Sequence, residues 1–170
     1  GVHLALASWS VMLHGQAWGL ANAETGSVHH RGRGVSSVNW LMGRVARPAG
    51  GGQLAFRAMV SAEPWTMRGC GYPAMLATGE VCDGDSIHDR QHPHDVVMEL
   101  AVSYDRPLGG ATRLHVYGGP VGEPALGPSA FLHRASALGN PVAPIGHHWL
   151  DSSHVSFGVV TAAVYGRRWK

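Results

Sequence analysis

The segment Gln53–Glu63, QLAFRAMVSAE, decides the fold because its apolar and polar side chains alternate along the chain. One face carries Leu54, Phe56, Ala58, Val60 and Ala62. The other carries Gln53, Arg57, Ser61 and Glu63, with Ala55 and Met59 as apolar exceptions to the alternation. A period of two is typical of a β-strand that has one face in an apolar environment.

The same period recurs along the chain. It predicts strands near residues 9–22, 35–47, 52–63, 95–105, 111–118 and 154–169. The fourth is expected to place Val96, Met98, Leu100, Val102 and Tyr104 on its apolar face. The last is expected to place Val155, Phe157, Val159 and Tyr165 there. These segments predict an all-β, antiparallel fold.

The connections between these strands alternate in length. Two are compact and rich in proline and glycine, RPAGGG at 47–52 and DRPLGG at 105–110, as tight turns require. The other three are long loops near 23–34, 64–94 and 118–153. Because transmembrane β-barrels have short turns at one rim and long loops at the other, we expect such a barrel. A soluble β-sandwich is the alternative.

Residues 1–170 are interpreted as a single barrel domain of about six strands from a larger barrel. The chain starts without methionine, and the strand pattern is still running at Arg168-Trp169-Lys170. We therefore expect a fragment with further strands beyond it. The uncharged stretch Gly1–Ala23 ends in the cleavage-like Ala21-Asn22-Ala23, but it lacks a basic start, which weighs against a signal peptide.

The composition favours a membrane environment over an ordinary enzyme. Charged residues make up 14% and glycines number 24, whereas soluble domains average about 25% charged residues. The net charge of +2 argues against a nucleic-acid partner. Outer-membrane lipid, with small solutes or metal ions, is the expected partner.

The two cysteines, Cys70 and Cys82, lie in the second long loop and are predicted to form a disulfide. That prediction implies an oxidising compartment. A pair of buried free thiols is the alternative.

Three motifs resemble a family of uncharacterised, porin-like bacterial outer-membrane barrel proteins. They are HDRQHPHD at 88–95, PVGEPALGP at 120–128 and GHHWLDSSHVSFG at 146–158. The resemblance implies location in the bacterial outer membrane and a longer parent with a signal peptide. It implies no substrate.

The long loops are rich in histidine, which makes them candidate metal sites. His88, His92 and His94 precede the fourth strand, and His147 and His148 lie near Asp151 in the third long loop. His29 and His30 lie in the first. Imidazole with carboxylate suits zinc or copper, and Asp89 and Asp95 are available beside the first group. Solvated histidines that bond carbonyl oxygens are the alternative.

His154 and Ser156 form a second candidate pair. Their spacing resembles that in outer-membrane phospholipase A and lipid A deacylase, in which a histidine activates a serine nucleophile. However, Val155 and Phe157 would face the lipid here, so ordinary lining of the barrel interior is the alternative, and we do not expect an enzyme.

The polar faces of the strands define a third candidate site, the barrel lumen. Its predicted lining residues are His14, Gln16, Asn39, Arg57, Glu99, Arg113 and His115. Opposed charges such as Arg57 and Glu99 would line a porin-like channel, or they would pair within the interior of a non-conducting surface barrel.

Overall fold

The computed structural model describes residues 1–26, 32–74, 77, 80–124, 139–140 and 155–167. The chain is all-β apart from short helical stretches. In chain order, the described elements are β1 (Val2–Leu6), β2 (Trp9–Glu24), β3 (Gly32–Ala49), β4 (Gly52–Val60), α1 (Glu63–Thr66), β5 (Tyr72–Pro73), β6 (Glu80–Cys82), β7 (Asp85–Ile87), β8 (Arg90–Gln91), β9 (Val97–Gly109), β10 (Thr112–Gly122) and β11 (Ser156–Tyr165).

Seven of these strands form one antiparallel sheet, in the order β1-β2-β3-β4-β9-β10-β11. Each strand of this sheet pairs with the one before or after it in the chain, except at one place. There, β4 pairs with β9, and the segment that contains β5 to β8 lies between them in the sequence. The predicted antiparallel β fold is therefore confirmed. The sheet formed by the described residues does not close into a barrel, because β1 and β11 are its two edges.

The connections between the strands of the sheet alternate in length. Short turns join β1 to β2, β3 to β4 and β9 to β10, and long connections follow β2, β4 and β10. The turn after β3 uses Gly50 and Gly51, both at positive φ, which glycine adopts without the steric penalty of a side chain. Because neighbouring strands are antiparallel, all three long connections start at the same end of the sheet.

All six predicted segments contain a long strand, but the sequence reasoning missed β1. Val2–Leu6 pairs with Leu13–Trp9 of β2 through a tight turn at Ala7 and Ser8. The exposed Val2, Leu4 and Leu6 alternate with His3 and Ala5. This period of two was overlooked because the segment is short.

The segment between β4 and β9, residues 61–96, is not an extended loop. It contains α1 and two small hairpin pairings, β5 with β8 and β6 with β7. Ser61 N donates to Val96 O at 3.0 Å, so the two ends of this inserted segment meet. β4 was predicted to continue to residue 63, but it ends at Val60, and Glu63-Pro64 begins α1, as proline in a first helical turn favours.

The strand register gives the sheet two different faces. The covered face contacts the inserted segment, since Val38 of β3 and Leu20 of β2 pack against Met67 and Tyr72. The exposed face includes Leu41, whose neighbours Trp40 and Met42 on β3 are buried on the covered face. The inserted segment therefore lies against one side of the sheet.

Three of the faces predicted for residues of β9 and β11 are wrong. Met59 pairs with Glu99 but Val60 pairs with Val97, so a bulge leaves Met98 buried instead of beside the exposed Leu100. Tyr165 pairs with Arg113 and its ring contacts that of His115, so it lies on the covered face. The third is Val159, which was expected beside the exposed Phe157 but is half-buried and pairs with Gly119, because Gly158 between them has positive φ.

Candidate functional site

The covered face carries most of the polar side chains that were predicted to line a lumen. One cross-strand row runs from His14 through Met42 and Met59 to Glu99. Gln16 pairs with Trp40, Arg57 with Ala101, and His115 with Asp105. Paired residues of an antiparallel sheet share a face. The register therefore brings His14, Gln16, Arg57, Glu99, Arg113 and His115 to the same side of the sheet.

An ion-pair network lies at the centre of this face. Arg57 Nε donates to Glu99 Oε1 at 2.9 Å, and Arg57 Nη2 also contacts this oxygen. Glu99 is only 2% exposed, whereas the Arg57 side chain is 23% exposed. Burial of a carboxylate is unfavourable unless a cation and hydrogen bonds compensate for the lost water, and Arg57 supplies both.

Tyr117 and Glu123 complete the network. The Tyr117 hydroxyl donates to Glu99 Oε1 at 2.8 Å and accepts from the Glu123 backbone N–H at 3.0 Å. The Glu123 carboxylate lies 3.5 Å from Arg57 Nη2, and the Arg57 guanidinium lies 5.2 Å from the Tyr117 ring centroid. One arginine thus holds a buried and a half-exposed carboxylate beside an aromatic ring. The role of Tyr117 was missed, although its alternation with Arg113 and His115 placed it on this face.

The other predicted lining residues have different surroundings. His14 Nε2 lies 3.1 Å from Met42 Sδ, and its ring packs edge-on against Trp40 at 5.1 Å. His115 Nδ1 lies 2.8 Å from Asp105 Oδ1. Arg113 is exposed. The predicted pairing of opposite charges is therefore present on this face for Arg57 with Glu99.

Asn39 is the exception, and its predicted position on the lumen face is wrong. It lies on the same face of β3 as the exposed Leu41 and pairs with Ala17. Its Nδ2 donates to Thr66 Oγ1 at 3.1 Å, and its Oδ1 accepts from Ala62 N at 2.7 Å. Asn39 therefore binds both ends of α1, at the point where β4 no longer continues alongside β3.

A buried carboxylate, Glu63, joins the inserted segment to the sheet. Its Oε1 accepts from the Asn39 backbone N–H at 3.1 Å. Its Oε2 accepts from both the backbone N–H of His94, at 2.9 Å, and the His94 Nδ1, at 2.6 Å. Glu63 is fully buried and His94 is 2% exposed. This glutamate was not a predicted site residue; the strand-ending Glu63-Pro64 pair was the available signal.

The apolar side of the inserted segment fits closely against β2 and β3. Val38 and Leu20 form a cluster with Met67, Tyr72, Ala74 and Ala77. A Cβ at Gly32 or Gly34 would lie 3.1–3.2 Å from the Pro73 ring, so these glycines permit the close approach. Burial, together with the nearby Glu63 charge, raises the pKa of Tyr72 well above its usual value.

The predicted histidine metal site is only partly within the described residues. His88 is exposed, His92 is half-buried, and His94 is buried against Glu63. His29, His30, His147, His148 and Asp151 lie outside the described residues. Within the described ranges, the one group of three metal-ligating side chains is Cys70, Cys82 and Asp83. Zinc or copper binding by the histidines therefore stays a prediction.

The predicted disulfide is confirmed. Cys70 and Cys82 are bonded to each other with Cα atoms 5.7 Å apart. Their sulfur atoms are therefore not available as thiolate ligands for a metal beside Asp83.

Only one residue of the predicted hydrolase pair, Ser156, lies in the described part of the chain. Ser156 is half-buried and pairs with Gly122, whereas His154 lies outside the described residues. Nothing in the described geometry brings a base to the Ser156 hydroxyl.

Comparison with known proteins finds no matching family model, no matching curated protein and no matching solved structure. In the part of the chain that the structure describes, no helix has the length and apolarity needed to cross a membrane.

Proposed function

We propose that this chain is part of a porin-like β-barrel of the bacterial outer membrane, with lipid against its exposed face and polar solutes on its covered face. One observation carries the proposal: an apolar row that crosses all seven strands. The row consists of Leu4, Val11, Val45, Phe56, Val102, Gly118 and Val160. Val160 is 82% exposed, and Leu4, Phe56 and Val102 are also exposed.

The size of this apolar surface supports a membrane environment. Seven strands at ~4.8 Å spacing span ~29 Å. From Leu54 to Val60, the apolar side chains of β4 span ~20 Å at ~3.4 Å per residue. The product, on the order of 600 Å², is at the upper end of the ~300–600 Å² of the largest apolar patch on a typical soluble monomer. The span is of the same order as the ~25 Å apolar band of membrane barrels.

Aromatic side chains at both ends of the apolar surface support the same interpretation. At the end with the short turns, Trp9 packs under the Arg47 guanidinium, and the Tyr104 hydroxyl donates to Gly50 O at 2.9 Å. At the end with the long connections, the 73% exposed Trp65 borders a groove shared with Leu41. Tryptophan and tyrosine favour the two membrane–water interfaces because their rings are amphipathic.

Strand edges determine what else the proposal requires. In hydrocarbon, an unpaired backbone N–H or C=O costs several kcal/mol. The outer edges of β1 and β11 would therefore be paired with further strands, which close the barrel. The covered face, with its ion pairs and half-buried polar side chains, would then line the interior.

Two adjacent residues of β11 provide a matched test. Both native cysteines are in the disulfide, so Val160→Cys and Thr161→Cys would each introduce the sole free thiol. In lipid vesicles, we expect a fluorophore at position 160 to be quenched by nitroxide-labelled lipid and one at position 161 by aqueous iodide. Quenching of both by iodide alone would refute lipid contact, as would recovery of the protein as a soluble monomer instead of in the outer-membrane fraction.

A non-conducting surface barrel is the second candidate, and the Arg57–Glu99 pair favours it because paired charges fill an interior without attracting ions. Conductance across a planar bilayer separates the two. Steps of conductance support the porin-like form, whereas insertion without steps supports the non-conducting form.

A further inference from the structure

We propose that the inserted segment (residues 61–96) is a movable plug that limits access to the covered face. Glu63 holds this plug against the sheet, and we call it the pin. The inference rests on the proposed function, because it assumes that the covered face lines the barrel interior. It concerns the described part of the segment, residues 61–74, 77 and 80–96.

Glu63 replaces a strand partner that β3 loses beyond the end of β4. β4 ends at Val60, so the next backbone N–H groups of β3 lose their strand partner. The Glu63 carboxylate accepts from one of them, that of Asn39, and holds His94 with its other oxygen. A single side chain therefore connects the beginning of the inserted segment, its end and the wall of the sheet. Hydrogen bonds to a buried carboxylate are stronger than those between neutral groups.

The rest of the contact between segment and wall consists of an apolar part and of hydrogen bonds between neutral groups, which join Asn39 to Ala62 and Thr66, and Thr66 to Ser37 O. The apolar part is one small cluster, with Val38 and Leu20 as the wall residues, and Pro73 against Gly32 and Gly34. Beside it, Trp18 Nε1, Asn22 Oδ1 and Ser36 Oγ are buried without a hydrogen-bond partner among the described residues. Leu20 pairs with Ser36, so the three polar groups surround this contact. Buried polar atoms of this kind recruit water, which makes the wall around the cluster easier to separate from the segment than a dry, interlocked core.

The disulfide determines which part of the segment moves as a unit. Cys70 and Cys82 close a loop that contains β5, and Arg90 Nη1 of β8 donates to Gly71 O of this loop at 2.8 Å. These bonds are internal to the segment and do not attach it to β2 or β3. Release of Glu63 would therefore leave a cross-linked unit held to β3 by the neutral hydrogen bonds at α1 and by the apolar contact, and the unit could separate without unfolding.

Glu63→Gln tests the pin in the full chain. The amide keeps the shape of the side chain but replaces the charged carboxylate, which accepts hydrogen bonds from Asn39 and His94. We expect hydrogen exchange at these two backbone amides to accelerate by about 10- to 100-fold, as loss of bonds to a charged acceptor implies. Asp85→Asn removes an exposed carboxylate from the same segment and is the control, with unchanged exchange at both amides.

His94 supplies a second pair of variants, which keeps the test valid if Glu63→Gln fails to fold. Asn Nδ2 occupies nearly the position of His Nδ1, so His94→Asn is expected to preserve the bond to Glu63. His94→Leu cannot donate and is expected to accelerate exchange at Asn39. Equal hydrogen exchange at the Asn39 amide in both variants would overturn the proposed role of Glu63, because a residue 94 that only fills space would give the same result in both.

Permeability in lipid vesicles tests the plug. The swelling rate with a small neutral sugar is expected to rise at least several-fold in Glu63→Gln and to stay unchanged in Asp85→Asn. Faster exchange with unchanged swelling would overturn the plug. Absence of membrane insertion by the wild type would instead refute the proposed function, and the exchange measurements would still decide whether Glu63 is a pin.

Discussion

The pair formed by Arg57 and Glu99 allows a quantitative test of the covered face. In Arg57→Met, the carboxylate of Glu99 would stay 2% exposed while it loses its cation and keeps one donor, the Tyr117 hydroxyl. Removing one partner of a buried pair costs about 3–5 kcal/mol. Because the Arg57 side chain is 23% exposed, we expect a loss near the lower limit, about 3 kcal/mol in the free energy of unfolding.

The double variant Arg57→Met/Glu99→Met separates the pair from its surroundings. It removes both charges and fills the space with unbranched apolar side chains, so no buried charge is left without a partner. Replacement of a buried ion pair in this way is neutral or stabilising in known cases. We therefore expect the double variant to unfold within about 1 kcal/mol of the wild type.

Arg44→Met is the matched control. Arg44 pairs with Arg57 across β3 and β4, but its guanidinium donates to the exposed Gln53 side chain. Its loss is expected to change the free energy of unfolding by no more than about 0.5 kcal/mol. Urea unfolding in detergent micelles, followed by tryptophan fluorescence, measures all four proteins. If Arg57→Met costs no more than the double variant, the reasoning about an unpaired buried carboxylate is wrong.

Three further predictions concern the inserted segment and the sheet. Because the folded state raises the pKa of Tyr72, its contribution to stability is complete below pH ~10, the unfolded value, and is lost as the pH rises above it. Absorbance at 295 nm should therefore detect one tyrosine that ionises only when the segment unfolds, and Tyr72→Phe should remove this late step. Replacing Cys70 and Cys82 with serine should destabilise the segment by about 3 kcal/mol, measured by the urea dependence of its hydrogen exchange; an unchanged midpoint would contradict this. Gly119→Val should abolish folding in a heat-modifiability gel, because a Cβ there would lie 2.1 Å from Leu100 O; a normal folded band would show that β10 can shift.

The strands and their order are local properties, and the sequence alone was sufficient for most of them. Alternation in Gln53–Glu63 reports which side chains meet an apolar environment, and paired glycines such as Gly50-Gly51 mark turns because they tolerate positive φ. Together with the alternation of short and long connections, these signals predicted an antiparallel meander. The disulfide also followed, since Cys70 and Cys82 were the only two cysteines available.

The partners of the site residues depended on strand register, which is not a local property. Arg57 and Glu99 are 42 residues apart, and they meet because β4 pairs with β9 in a register that sets Arg57 beside Ala101 and Met59 beside Glu99. The burial of Met98 depends on a bulge in the same pairing. A bulge arises when one strand has an extra residue relative to its neighbour, so neither strand reveals it alone.

The same reason explains Glu63 and His94. Their sequence context predicted a strand end and a loop histidine, and neither signal indicated burial. The tertiary structure made them partners because β4 stops at Val60 while β3 extends beyond it, which leaves backbone donors that a carboxylate must satisfy. The sequence determined where the chain is extended and where it turns, whereas the packing of the inserted segment on the sheet decided which polar groups became a site.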